Sequence, residues 1–165
     1  MIVIHCTELP DLRVAREYAE RIIYPSGTGN CGHFYIDTDG QTYQWVDLER
    51  VAHHVRGFNT TSIGIELSHP GRYPNWYHAD DQDITQNYPQ QQITSLLKLL
   101  DTLKISIPAL RFITGHEQLD TEMITAKDQP NIKIRRKIDP GPTFPWATIS
   151  KHTQLSFLET TEDYE

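Results

Sequence analysis

Two histidines and an aspartate carry the clearest chemical potential in this sequence. His5 closes the apolar run Ile2-Val3-Ile4, and His116 follows Phe112-Ile113-Thr114 through Gly115. Reactive groups of mixed folds gather where strands end and loops begin. Asp139 precedes Pro140-Gly141-Pro142, a segment whose fixed φ angles can hold a carboxylate in place. Either histidine could be a metal ligand. By pattern alone, however, each histidine is more often a hydrogen-bonded polar residue, and Asp139 more often a turn aspartate.

Other motifs point elsewhere. Gly27-Thr28-Gly29-Asn30-Cys31-Gly32 matches a dinucleotide fingerprint in letters. It follows a helical pattern and opens a strand, the reverse of what that fingerprint needs. Asp37-Thr38-Asp39-Gly40 resembles a calcium loop, yet its glycine comes too early and Leu48 takes the place of the bidentate glutamate. It reads as a hairpin turn. Cys31 with His33 could form a thiol nucleophile and base. Activated cysteines usually sit at helix N-termini, and Cys31 precedes a strand.

The elements that must position these residues alternate in type. Residues 2–6 read as a buried strand. Asp11 caps a helix carrying Leu12, Ala15, Ala19, Ile22 and Ile23 at helical spacing. Residues 33–37 and 42–46 form a hairpin around Asp39-Gly40, and residues 62–67 a further strand. Residues 68–88 read as a long functional loop. Pro89 opens a second helix with Ile93, Leu96, Leu97, Leu100 and Leu103 on one face. A strand at 111–114, a polar loop at 117–137 and a short helix from Trp146 complete the pattern. The expected fold is α/β, with a mixed central sheet flanked by helices in one domain at 1–150. Residues 151–165 are expected to be a tail that frays from Glu159 onward.

Length and charge narrow the classes. The 165 residues suffice for one core. A net charge of −7 argues against nucleic acid as partner, and the cationic run at 133–137 is short. No apolar run is long enough for a membrane span. No basic, apolar leader precedes residue 2, so the expected compartment is the cytoplasm. Two unpaired cysteines agree with that.

Four ordered blocks then carry a resemblance. They are "IVIHCT" around His5, "GHFYIDTDG" from Gly32, "AHH" at Ala52 leading to "NTTSIGIEL", and "ITGHE" around His116 followed by "RRKIDPGPTFPW" from Arg135. In these the chain resembles the zinc-dependent N-acetylmuramoyl-L-alanine amidases. That family, amidase-2, includes AmpD-type recycling enzymes, phage T7 lysozyme and the peptidoglycan recognition proteins. The resemblance implies one Zn²⁺ per chain, held in a groove at strand ends by His5, His116 and Asp139. It implies Glu66 as general base and acid, and Lys137 as stabiliser of the oxyanion. Relatives with a catalytic tyrosine carry it where this chain has Gly32, so Glu66 is the better candidate here.

The implied substrate is the amide between the lactyl group of N-acetylmuramic acid and L-alanine, in muropeptides or sacculus. His54, Arg56, Phe58, Asn59, Arg72 and Trp76 are candidate groove residues, with Tyr73 and Tyr77 beside them. The family also contains binding modules that do not cleave, which leaves a non-catalytic peptidoglycan-binding protein as the alternative. Residues 117–136 separate two of the implied ligands and are expected to form a lid over the zinc or to decorate the edge.

Overall fold

The structure, a computed structural model, describes residues 1–159. Its centre is β1 (Ile2–Cys6), every residue of which is buried. Burial on both faces is what the unbroken apolar run requires, because a parallel strand in a covered sheet has no solvent side. β1 runs parallel to β4 (Ile63–Leu67) on one side and to β5 (Phe112–Gly115) on the other. Beyond β4 comes β2 (Phe34–Ile36), parallel to it, and then β3 (Thr42–Gln44), antiparallel to β2. The β2–β3 hairpin turns at Gly40 with φ at +88°, as the Asp39-Gly40 signal predicts.

The sheet separates its residues by parity. Ile2, Ile4, Cys6, Phe34, Ile36, Ile65 and Leu67 point to one face and build the main core. Helix α2 (Gln90–Ser106) seals that face with Ile93, Leu96, Leu100 and Leu103. Val3, His5, Gly64, Glu66 and Tyr35, the alternate positions, point the other way. Helix α1 (Leu12–Glu20) borders this second face, packing Ala15 beside Tyr35. Asp11 caps α1 as expected, its carboxylate accepting from the Val14 N–H at 2.8 Å. The helix stops short of Ile22 and Ile23, which are 70% and 52% exposed. The chain folds back there, and the Gly29 N–H bonds the Ala19 carbonyl at 2.9 Å. The glycine-rich motif therefore ends a helix.

Two expectations are corrected. The 117–137 stretch is not an irregular loop. It holds the one-turn helix α3 (His116–Leu119) and an antiparallel pair, β6 (Met123–Thr125) with β7 (Lys133–Arg135). The segment read as a tail also joins the sheet. After α4 (Trp146–His152), β8 (Ser156–Phe157) runs parallel to β5, and Leu158 is buried. Strands of two or three residues are too short to leave a period in a sequence. The tail beyond Glu159 lies outside the described residues. No helix among the described residues is long and apolar enough to cross a membrane.

Candidate metal centre

The strand register sets a row of side chains across the second face. His5 on β1 pairs with Glu66 on β4, and Glu66 pairs with Tyr35 on β2. Neighbouring strands lie about 4.8 Å apart, so these three side chains stand side by side. His116 begins α3 where β5 ends, next to β1. Asp139 arrives from the far end of the β6–β7 excursion. Its carbonyl accepts from the Glu117 N–H at 3.0 Å, and the Pro140 carbonyl accepts from the Tyr88 hydroxyl at 2.7 Å. The chain is thus tied down at Asp139 itself and at the proline that follows it.

Three donor atoms converge. His5 Nδ1 lies 3.0 Å from His116 Nδ1 and 3.1 Å from Asp139 Oδ2, which is 3.2 Å from His116 Nδ1. All three residues are buried. Ligands of a tetrahedral zinc ion at about 2.0–2.1 Å stand about 3.3 Å from one another. The triangle is therefore close to one face of such a site. Asp139 Oδ1 and His116 Nε2 are buried with no hydrogen-bond partner among the described residues. A divalent cation would relieve the crowding of two imidazole lone pairs and one carboxylate, and the donor set fits zinc.

Electrostatics distinguish the surrounding groups. Burial opposes ionisation of Asp139, but the fields of His116 and Lys137 and the close contacts with both imidazoles prevail. Its carboxyl is held well below the usual range. Burial pushes Glu66 up to about 7, against the pull of His5 and Lys137. Lys137 is raised despite burial, because Asp139 and Glu8 favour its charge. Neither Glu66 nor Lys137 makes a side-chain hydrogen bond among the described residues. Both line the groove that opens over the cluster, a cavity of about 620 Å³.

Gly32 explains how Glu66 fits. A β-carbon at position 32 would stand 2.8 Å from Glu66 Cγ and 3.1 Å from the Gly64 carbonyl oxygen. A tyrosine here and the glutamate as placed exclude one another. Tyr35 lines the groove, with its oxygen accepting from the Gly32 N–H at 3.1 Å. The period-two spacing of His33 and Tyr35 was the signal that could have found it.

The remaining candidates divide. Arg56, Asn59 and Trp76 line the groove, with Tyr77, Lys127 and Arg136 on the same walls. Arg56 is exposed and pairs with Glu122 at 2.8 Å. Asn59 turns its side-chain oxygen inward, accepting from the N–H groups of His54 and Val55. Trp76 donates its indole N–H to the Glu8 carbonyl at 2.7 Å. Phe58 is no groove wall: it packs on the cluster of Met1, Val3, Val55, Leu119 and Leu158. Nor is Arg72. Its guanidinium is buried in a two-pronged pair with Glu8, at 2.6 and 2.9 Å, and donates to the Arg135 and Arg136 carbonyls. Those bonds clamp the 68–88 loop to the chain entering Lys137. Neither the pair nor its task shows in the sequence, since Glu8 and Arg72 lie 64 positions apart.

The thiol alternative finds no base. His33 spends one ring nitrogen on the Arg50 carbonyl and the other on the Gly64 N–H. Burial also pushes the Cys31 thiol up.

Comparison with known proteins agrees with this geometry. The family model described as N-acetylmuramoyl-L-alanine amidase matches residues 1–142. No curated protein matches the chain. Among solved structures, the chain is similar to the N-acetylmuramyl-L-alanine amidase AmiD from E. coli, solved with anhydro-N-acetylmuramic acid-L-Ala-D-gamma-Glu-L-Lys. The TM-score is 0.69 at 20% identity, over 94% of this chain and 58% of that one. AmpDh3 from Pseudomonas aeruginosa gives 0.70 at 21%, over 94% and 60%. Drosophila PGRP-LB gives 0.60 at 20%, over 94% and 81%. The chain thus spans about three fifths of the first two, and at these identities the likeness shows the fold.

Proposed function

The chain belongs to the Amidase_2 family of N-acetylmuramoyl-L-alanine amidases, and on that premise we propose that it is a zinc hydrolase of peptidoglycan fragments. The bond cut is the amide between the lactyl group of N-acetylmuramic acid and L-alanine. The observation that carries this reading is the buried His5, His116 and Asp139 cluster, with Glu66 beside it at the floor of an open groove.

Zinc held there supplies Lewis acidity and an activated water near neutral pH. The chain's own residues do the rest. Glu66, poised near pH 7, accepts the water's proton and returns it to the departing amide nitrogen. Lys137, held cationic, faces the carbonyl oxygen as it turns negative; preorganised charge at such an oxygen contributes about 3–4 kcal/mol. Asp139 stays ionised, so the metal donors keep their charge across the working range. Soluble muropeptides are the favoured substrate, for a groove walled by Ala15 and Tyr18 of α1 and by Trp76 and Tyr77 of the 68–88 loop. Recycling of such fragments in the cytoplasm is the role that goes with them.

The test is mass spectrometry of the products. Zinc-reconstituted protein incubated with anhydro-muropeptides is expected to release free stem peptide and the intact muramyl moiety. Stoichiometric zinc with no release would overturn the hydrolase reading in favour of a binding module.

A further inference from the structure

His54 lines the groove but is nearly buried, and it meets the metal cluster through His5. Its Nδ1 lies 2.9 Å from Nε2 of His5, the ring nitrogen that faces away from His116 and Asp139. Its own Nε2 lies 3.3 Å from the Ser62 hydroxyl, and that hydroxyl lies 2.6 Å from the Phe58 carbonyl.

These contacts have only one consistent direction. A carbonyl only accepts, so Ser62 gives its proton to Phe58 O. The Ser62 oxygen is then the acceptor for His54 Nε2–H. A neutral imidazole carries one N–H, so His54 Nδ1 is left with a lone pair and receives Nε2–H from His5. The Nδ1 lone pair of His5 is thereby turned toward the cluster.

The position of the ring is built as firmly as its proton. The imidazole lies flat on Gly64: a β-carbon there would stand 2.5 Å from His54 Cγ and 2.7 Å from Nδ1. The loop behind it is held by Asn59, whose side-chain oxygen takes the N–H groups of His54 and Val55 at 3.0 and 2.8 Å. Glycine at position 64 of the "SIGIEL" block thus has a reason in this chain, which is room for a second imidazole.

We propose that His54 is a positioning residue that fixes the tautomer and orientation of His5 for a divalent metal, rather than a substrate contact. The proposal rests on the reading of the cluster as a zinc site. Partners of this kind commonly change metal affinity 10- to 100-fold when removed.

Zinc affinity, measured by competition with a chromophoric chelator and without substrate, tests it. His54→Phe keeps the ring's bulk over Gly64 and removes the acceptor; zinc binding is expected to weaken 10- to 100-fold. His54→Asn can offer its side-chain oxygen where Nδ1 was, and is expected to recover most of that loss. Equal affinity in wild type and His54→Phe overturns the proposal, as does an equal loss in both variants. A long-range ¹⁵N–¹H correlation spectrum of zinc-loaded wild type gives a second reading that needs no variant. His54 is expected as the Nε2–H tautomer, and the Nδ1–H tautomer would overturn the assignment. If wild type binds no zinc, the metal reading falls and takes this proposal with it. Zinc binding without amide hydrolysis strikes the hydrolase reading alone.

Discussion

Glu66 has the environment a proton carrier needs and lacks the partners that would spend it. It sits one strand from His5, its carboxylate forms no hydrogen bond among the described residues, and burial brings its pKa to about 7. Glu66→Gln is therefore expected to retain zinc while hydrolysis falls about 10²- to 10⁴-fold, the usual contribution of a general acid–base group; equilibrium metal content and turnover check both halves. The same residue predicts a pH effect on folding. Its folded pKa lies above the ordinary 4.5, so its contribution favours the folded state below about pH 4.5 and is lost as pH rises through 7. The metal-free wild type should lose at most about 3 kcal/mol across that window relative to Glu66→Gln, read from urea unfolding at successive pH values. At this scale the sequence was legible only through ordered motifs. His5, His116 and Asp139 lie 111 and 23 positions apart, and nothing in their separate contexts says that three Nδ1 and Oδ2 atoms meet. The "AHH" block suggests a groove role for His54, and a guanidinium that suits carboxylates suggests one for Arg72. Their partners, Ser62 with His5 and Glu8 with two carbonyls, are set by packing.

Among the elements, long periodic ones were legible and short polar ones were not. Helix α2 shows its apolar face at i, i+3, i+4 and i+7 through Ile93, Leu96, Leu97 and Leu100. The β6–β7 pair shows no such pattern, because three-residue strands carrying Lys133 and Arg135 are held by contacts of their flanking chain with the 68–88 loop. Lys127 N–H bonds the Tyr77 carbonyl, Asp128 accepts from the Ala79 N–H, and Arg72 reaches the carbonyls of 135 and 136. The 68–88 and 117–137 stretches are thus joined beside the groove. Arg72→Met is expected to cost about 3–5 kcal/mol, since it leaves the Glu8 carboxylate buried without its cation. Glu8→Gln in the same chain should restore part of that loss, and chemical denaturation of the single and double variants measures the coupling.

For the whole molecule, metal and fold are one equilibrium. The three donors come from β1, from the start of α3 and from the segment before α4, so only the folded chain assembles them. Free zinc at 100 times its dissociation constant is expected to add about 2.7 kcal/mol of stability, seen as a melting temperature that climbs with zinc and drops on chelation. A melting temperature indifferent to zinc would show that the cluster holds none. The fold class was legible at this scale from interleaved strands and helices. The strand order β3-β2-β4-β1-β5-β8 was not, because it depends on which distant strands pair. That order has a consequence for how the protein is made. β1 is made before the other strands and occupies the middle of the sheet, yet its partners β4 and β5 follow about 60 and 110 positions later. Such non-local pairing is slow. During synthesis the bare Ile2-Val3-Ile4 edge must stay unclaimed by other chains, and a chain stalled before Asp139 has β1 to β5 but no complete donor set.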